Sequence, residues 1–188
     1  MTVVNETKTN IRTRILELLR NQKEEDRQKK SLAILDALLV RPEFQNAKTI
    51  LFYASFDGEV ETFAMMERAQ QLGKRIALPM IIRDQKGIVP TLVQNLAEDL
   101  EKGPYGILQC RQDRTEQIGL EEIDLVIVPG IAFDRHNSRL GRGQGYYDRF
   151  LESLPKDTPA IGLAFDFQLF DRLPSHAHDK SVSYVITN

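Results

Sequence analysis

Cysteine is nearly absent. Cys110 is the only one, so the chain forms no intramolecular disulfide and no cysteine-based zinc site. Basic excess is missing as well. With 25 Lys and Arg against 27 Asp and Glu, the formal charge is -2, which argues against a protein that coats a nucleic-acid duplex. No apolar run is long enough to cross a membrane; the longest are strand-sized. The start of the chain, with Lys8, Asn10 and Arg12, lacks the apolar core of a signal peptide. There is no internal repeat, low-complexity tract or linker. What remains is a chain of 188 residues, 41% hydrophobic and 28% charged. It is long enough to bury a full core as one domain, residues 1–188, and too apolar to be disordered. The expected location is the cytoplasm, and the default state for this size is a monomer with no nucleic-acid or membrane partner.

The first forty residues read as helix. Ile11, Ile15, Leu18 and Leu19 share one face. Leu32, Leu35, Leu38 and Leu39 repeat the pattern after the polar stretch Asn21–Lys30, and Pro42 ends it. One long bent helix and two separate helices both fit. The period then changes. Thr49–Ala54 reads as a buried strand, Asp57-Gly58 as a turn, and Glu61–Leu72 as a helix closed by Gly73. Arg75–Leu78 reads as a strand ended by Pro79, and Pro90 places Ile88–Val93 at a sheet edge. Asp124–Val128 is the clearest strand. Gly145–Leu154 reads as a helix stopped by Pro155, and Ala160–Phe165 and Val182–Thr187 as closing strands. Alternating strand and helix predicts an α/β fold: a mainly parallel, Rossmann-like sheet with helices on both faces, preceded by an N-terminal helical element. Sites in such sheets lie at the carboxyl ends of the strands.

The chemistry concentrates in Arg139–Arg149, RLGRGQGYYDR. Gly141, Gly143 and Gly145 let backbone N–H groups approach a ligand closely. A helix starting near Gly145 adds its positive end. Arg139 and Arg142 can fork onto phosphate oxygens, and Asp148, in the first turn, can hold Mg²⁺ against them. The spacing is neither a Walker A loop nor the dinucleotide GxGxxG, whose third glycine comes one residue later. Gly-rich segments also occur as plain tight turns; the two arginines inside this one favour phosphate.

The run Val128–Leu151, VPGIAFDRHNSRLGRGQGYYDRFL, resembles the signature of the 5-formyltetrahydrofolate cyclo-ligase family, also called methenyltetrahydrofolate synthetases. Lys8 and Arg12 look like the family's N-terminal K-x-x-x-R pair. Ser31, the segment Phe52–Thr62 and the tail IGLAFDFQ…LP…HDKSVSYVIT fit in order. The resemblance implies conversion of 5-formyltetrahydrofolate to 5,10-methenyltetrahydrofolate, with ATP as co-substrate, Mg²⁺ as cofactor, and ADP and phosphate released. It implies ATP contacts from Lys8, Arg12, Arg139, Leu140, Gly141, Arg142, Gly143, Gln144, Gly145, Tyr146 and Tyr147. Arg142 and Tyr147 would be catalytic and Asp148 the metal ligand. Ala54, Glu59, Arg142 and Tyr146 would meet the folate, although the adjacent Glu61 competes with Glu59 for that role, and Tyr53 could stack on the ring or pack in the core. Folate polyglutamates would be substrates too. The chain also departs from the family pattern. Gln144 stands where some members have Lys, Gln109-Cys110 where an acidic-Pro pair is common, and Ser183 where some carry a metal-linked aspartate.

His136, His176 and His178 lack metal-ligand spacing. They read as surface histidines, and Cys110 has no evident activating partner. Two other readings of the same residues stand beside the ligase. One is a non-catalytic nucleotide- or folate-binding module on the same fold. The other is a sugar-phosphate isomerase using the Gly-rich loop without ATP.

Overall fold

The computed structural model describes residues 6–82, 84, 87–103 and 107–188. Ile11, Ile15 and Leu19 bury one face of the first helix, α1 (Lys8–Arg20), and Thr7 caps it by accepting the Asn10 N–H at 3.2 Å. The chain breaks at Asn21 and restarts as α2 (Glu24–Leu39), whose first turn holds Glu24, Glu25 and Asp26, a sign that favours the helix dipole. The N-terminal element is therefore two helices. Pro42 does more than follow them: it sits in the first turn of a short helix, α3 (Pro42–Asn46), where its missing N–H has no partner to lose.

The chain continues through β1 (Thr49–Leu51), α4 (Phe63–Gln71), β2 (Arg75–Ile82), β3 (Gly87–Val93), β4 (Leu100–Lys102), β5 (Leu108–Cys110), β6 (Glu116–Gln117) and β7 (Leu125–Val128). It closes with β8 (Ala132–Asp134), β9 (Arg139–Leu140), α5 (Tyr146–Ser153), β10 (Ala160–Ala164), β11 (Leu169–Phe170) and β12 (Tyr184–Thr187). Seven of these strands form one sheet in the order β12-β10-β7-β1-β2-β3-β6. The pairs from β12 to β2 are parallel, and β3 and β6 join antiparallel. Alternate residues go to opposite faces. Ile50, Leu125, Ile127, Ile161 and Leu163 pack with Ile11, Ile15, Ile34, Leu38 and Met65 of the helical layer. Leu51, Val126, Val128 and Ala164 pack with Phe133 and Phe150 on the other side. Gly162 in β10 is needed for that second layer, because a Cβ there would lie 2.5 Å from the Phe133 ring. Among the described residues no helix is long and apolar enough to cross a membrane.

Three expectations are corrected. Strand β2 does not stop at Pro79; it runs on to Ile82 with Pro79 opposite Pro90. The Pro90 carbonyl accepts the Ile118 N–H at 3.0 Å, so the polar backbone of Pro90 faces away from β2. The two prolines form a non-hydrogen-bonded pair, where neither missing N–H breaks the ladder. For the same reason Pro90 does not put β3 at an edge, since β6 flanks it. Finally, β1 ends at Leu51 and not at Ala54. The residues beyond it leave the sheet as a loop at the carboxyl ends of the parallel strands.

Candidate active site

Two loops meet at that edge. The first follows β1 and spans residues 52–62. The second runs from β9 into α5 and holds the three glycines. Gly143 and Gly145 have φ of 100° and 69°, in the left-handed region that glycine occupies without penalty. Gly145 is the N-cap of α5 and Asp148 lies in its first turn, so the amino end of the helix opens onto the loop.

Helix α1 brings Arg12 to this loop. Its Nε donates to the Gly141 carbonyl at 2.8 Å, and its guanidinium carbon lies 3.6 Å from where a Cβ on Gly143 would sit. Lys8, one turn earlier, donates to Asp179 and to His176 Nδ1. Arg142 lies over the Phe56 ring at 4.0 Å from its centroid. It donates to Asp57 at 3.2 Å and to Glu59 at 3.0 Å. Leu140 is buried and Gln144 exposed; the Gln144 carbonyl accepts from Arg149 at 3.1 Å. Arg149 also lies over the ring of half-buried Tyr146.

Arg139 is placed differently from Arg142. Its side chain is 3% exposed and donates to Asp148 Oδ1 at 2.9 Å. It also donates to the Pro129 carbonyl at 3.3 Å and lies over the Tyr147 ring. The structure thus sets it beneath the loop, as a strut between β7 and α5. Asp148 is accordingly not a bare carboxylate. Its Oδ1 takes the Arg139 bond and the Lys180 N–H, and Oδ2 stands outside both bonds. Arg139 Nε and the Tyr147 hydroxyl are buried without a hydrogen-bond partner among the described residues. Burial pushes the Tyr147 hydroxyl well above its usual range, and Arg139 only partly opposes it, so near neutrality it is a donor and not a phenolate.

In the β1 loop the two acids separate. Glu59 is 5% exposed, and its carboxylate accepts from Arg142 and from the Phe56 N–H at 3.3 Å. Burial raises its pKa, and Arg142 offsets this in part. Glu61 is occupied with folding the loop: it accepts from Ser55, from the Phe63 N–H and from Arg27. Ser31 fixes the same loop by accepting the Glu61 N–H at 3.0 Å. Tyr53 is buried with its hydroxyl on the Val60 carbonyl, which makes it a core residue. Ala54 stands half-buried where the loop begins.

Ser183 lies elsewhere, at the amino end of β10, where its Oγ accepts the Ala160 N–H at 3.0 Å. Cys110 is buried in β5 with its thiol pushed up to about 12 by burial, so it is no nucleophile. His176, His178 and Asp179 have ligand atoms within 4.8 Å of one another, but the Lys8 ammonium bonds two of the three. That cluster anchors a lysine. Sequence reasoning passed over Phe56, Arg20 and the charge on Asp57. The SFDG run signals a turn, but nothing local shows that its ring and carboxylate face Arg142, some eighty-five positions later.

The whole chain, and not only this edge, has relatives. The family model described as "5-formyltetrahydrofolate cyclo-ligase family" matches residues 4–188. A 5-formyltetrahydrofolate cyclo-ligase of Escherichia coli K12 is 31% identical over 151 residues, 80% of this chain and 83% of that one. A probable 5-formyltetrahydrofolate cyclo-ligase of Caenorhabditis elegans is 28% identical over 99% of this chain and 95% of its own. Among solved structures, the 5,10-methenyltetrahydrofolate synthetase of Aquifex aeolicus superposes with a TM-score of 0.83 at 32% identity, covering 96% of this chain and 89% of that one. The match in sequence and fold extends from α1, with Lys8 and Arg12, to the last strand, and on that breadth the chain belongs to the 5-formyltetrahydrofolate cyclo-ligase family.

Proposed function

We propose that residues 1–188 act as one domain that converts 5-formyltetrahydrofolate to 5,10-methenyltetrahydrofolate at the expense of ATP, releasing ADP and phosphate. A formamide oxygen is a very poor leaving group. Transfer of a phosphoryl group onto it gives an imidate phosphate. The N10 amine then attacks the formyl carbon and loses its proton, the C–O bond breaks, and phosphate departs as the five-membered ring closes. Such a transfer needs positioning and charge neutralisation more than covalent help. One observation carries the reading: Arg12 from α1 bonds the Gly141 carbonyl in the loop that leads to the amino end of α5, the same loop carries Arg142, and Lys8 stands one turn before Arg12 on α1, held by Asp179. That set suits a triphosphate.

The roles then divide along the two loops. The glycine loop and the amino end of α5 would cradle the triphosphate, while Tyr147, kept protonated, has a hydrogen bond to offer. Arg142 bridges to the folate side, where Glu59 can accept from the amino and ring N–H groups of a pterin. The donor set also fits Mg²⁺, which takes one or two carboxylates beside phosphate and water oxygens: Asp148 would hold it through Oδ2. When bound, the ion would shield the charge on the transferring group. Arg139 keeps Asp148 in place for this and offsets part of its charge. The single buried cysteine suits a reducing cytoplasm, and we place the protein there, as a monomer that also accepts folate polyglutamates.

The test mixes the protein with 5-formyltetrahydrofolate and Mg²⁺, with and without ATP, and follows the methenyl absorbance. ATP-dependent growth is the expected result. Binding of folate or ATP without product would make the chain a non-catalytic binding module.

A further inference from the structure

Arg142 does not hang free from its flexible glycines. Its Nη1 meets Asp57 at 3.2 Å, its Nη2 meets Glu59 at 3.0 Å, and its plane covers Phe56 at 4.0 Å. Those two bonds leave Nε–H and one N–H on each terminal nitrogen for a ligand. Asp57 is itself held from behind, because Arg20 at the end of α1 grips both its oxygens at 2.7 and 2.9 Å. Asp57 has φ of 55° and Gly58 of 81°. A Cβ on Gly58 would lie 2.1 Å from the Leu19 carbonyl oxygen, so this turn is seated directly on the last turn of α1. The Arg20 bond also holds the Asp57 carboxyl below the usual range, against a smaller effect of burial.

We propose that Asp57, braced by Arg20, is a positioning residue that fixes the guanidinium of Arg142 for the transferring phosphoryl group. This rests on the reaction proposed above. It adds a chain of charge from α1 through the β1 loop to the glycine loop, Arg20–Asp57–Arg142. Helix α1 then serves both sides of the reaction, with Arg12 on the Gly141 carbonyl and Arg20 behind the arginine that acts.

Two variants test it without disturbing the fold. Asp57→Asn removes the charge and keeps a residue type that accepts positive φ, and Arg20→Gln acts at an exposed site. Each is expected to lower kcat about tenfold, the scale of coupling between contacting charged residues, with KM for 5-formyltetrahydrofolate unchanged. Neither should lower kcat further in an Arg142→Ala background. Melting temperatures should stay together. The same cycle is read as ATP affinity by calorimetry, where Asp57→Asn weakens binding about threefold only when Arg142 is present. A wild-type rate in Asp57→Asn, or an equal further loss on top of Arg142→Ala, overturns the proposal. A wild type that makes no methenyl product would count against the reaction, while coupling in ATP affinity would still decide the positioning.

Discussion

Arg142 and Glu59 face each other across the two loops, and each sets the state of the other. Removing the arginine takes away the positive charge that holds Glu59 below where burial alone would put it, so its pKa should move further up, towards the neutral acid that burial favours over an orphaned ion. Arg142→Ala should therefore fold normally. It should lose turnover by at least a hundredfold, the scale for one lost transition-state donor, while folate binding changes far less. Near-normal turnover would remove Arg142 from the mechanism. Glu59 gives a second test. Its raised pKa means that the folded state holds the proton more tightly than the unfolded chain. Its contribution to stability is then full below the ordinary carboxylate range and is lost as pH rises through the raised value. Glu59→Gln has no such loss. Its melting temperature relative to wild type should rise as pH increases above the ordinary carboxylate range, and a difference that is flat with pH would refute the argument. Other residues were legible for a simple reason: glycines and arginines at alternating positions announce a loop that contacts a ligand. The burial of Arg139 against the Tyr147 ring was not legible, because only the path of β9 decides which arginine turns inward.

At the scale of elements, α1 matters most. Its apolar face packs in the core, its start carries Lys8 and Arg12, and its end carries Arg20. Lys8→Ala should raise the ATP concentration for half-maximal rate about tenfold, the worth of one charge-assisted hydrogen bond, and leave the sheet folded. Normal ATP dependence would remove Lys8 from the ATP site. Removing the first ten residues would also take the Thr7 cap, so some stability, about 1 kcal/mol, should go with it. The amphipathic pattern made this helix readable, as the all-apolar run made β7. Strands β8, β9 and β11 form a small separate sheet, and two or three residues are too few to show a period. Pro79 misled for a physical reason as well: proline ends a strand only where its missing N–H would have been used.

Across the whole molecule, the loop with Asp57 and Glu59 leaves the carboxyl end of β1 and Arg139 reaches the Pro129 carbonyl just beyond the carboxyl end of β7, the edge where α/β sheets place their ligands. The Mg²⁺ assignment belongs to this scale, because Asp148 also joins α5 to Arg139 and to the tail at Lys180. Asp148→Asn should lower the rate and raise the Mg²⁺ concentration for half-maximal rate. An unchanged midpoint would leave Asp148 a joint between elements and nothing more. The central claim is that phosphate leaves from the formyl carbon, and isotope transfer tests it most directly. With the formyl oxygen of 5-formyltetrahydrofolate labelled as ¹⁸O, the inorganic phosphate released during ATP-dependent turnover should carry one ¹⁸O atom by mass spectrometry. Unlabelled phosphate accompanying full methenyl formation would contradict the phosphorylated intermediate.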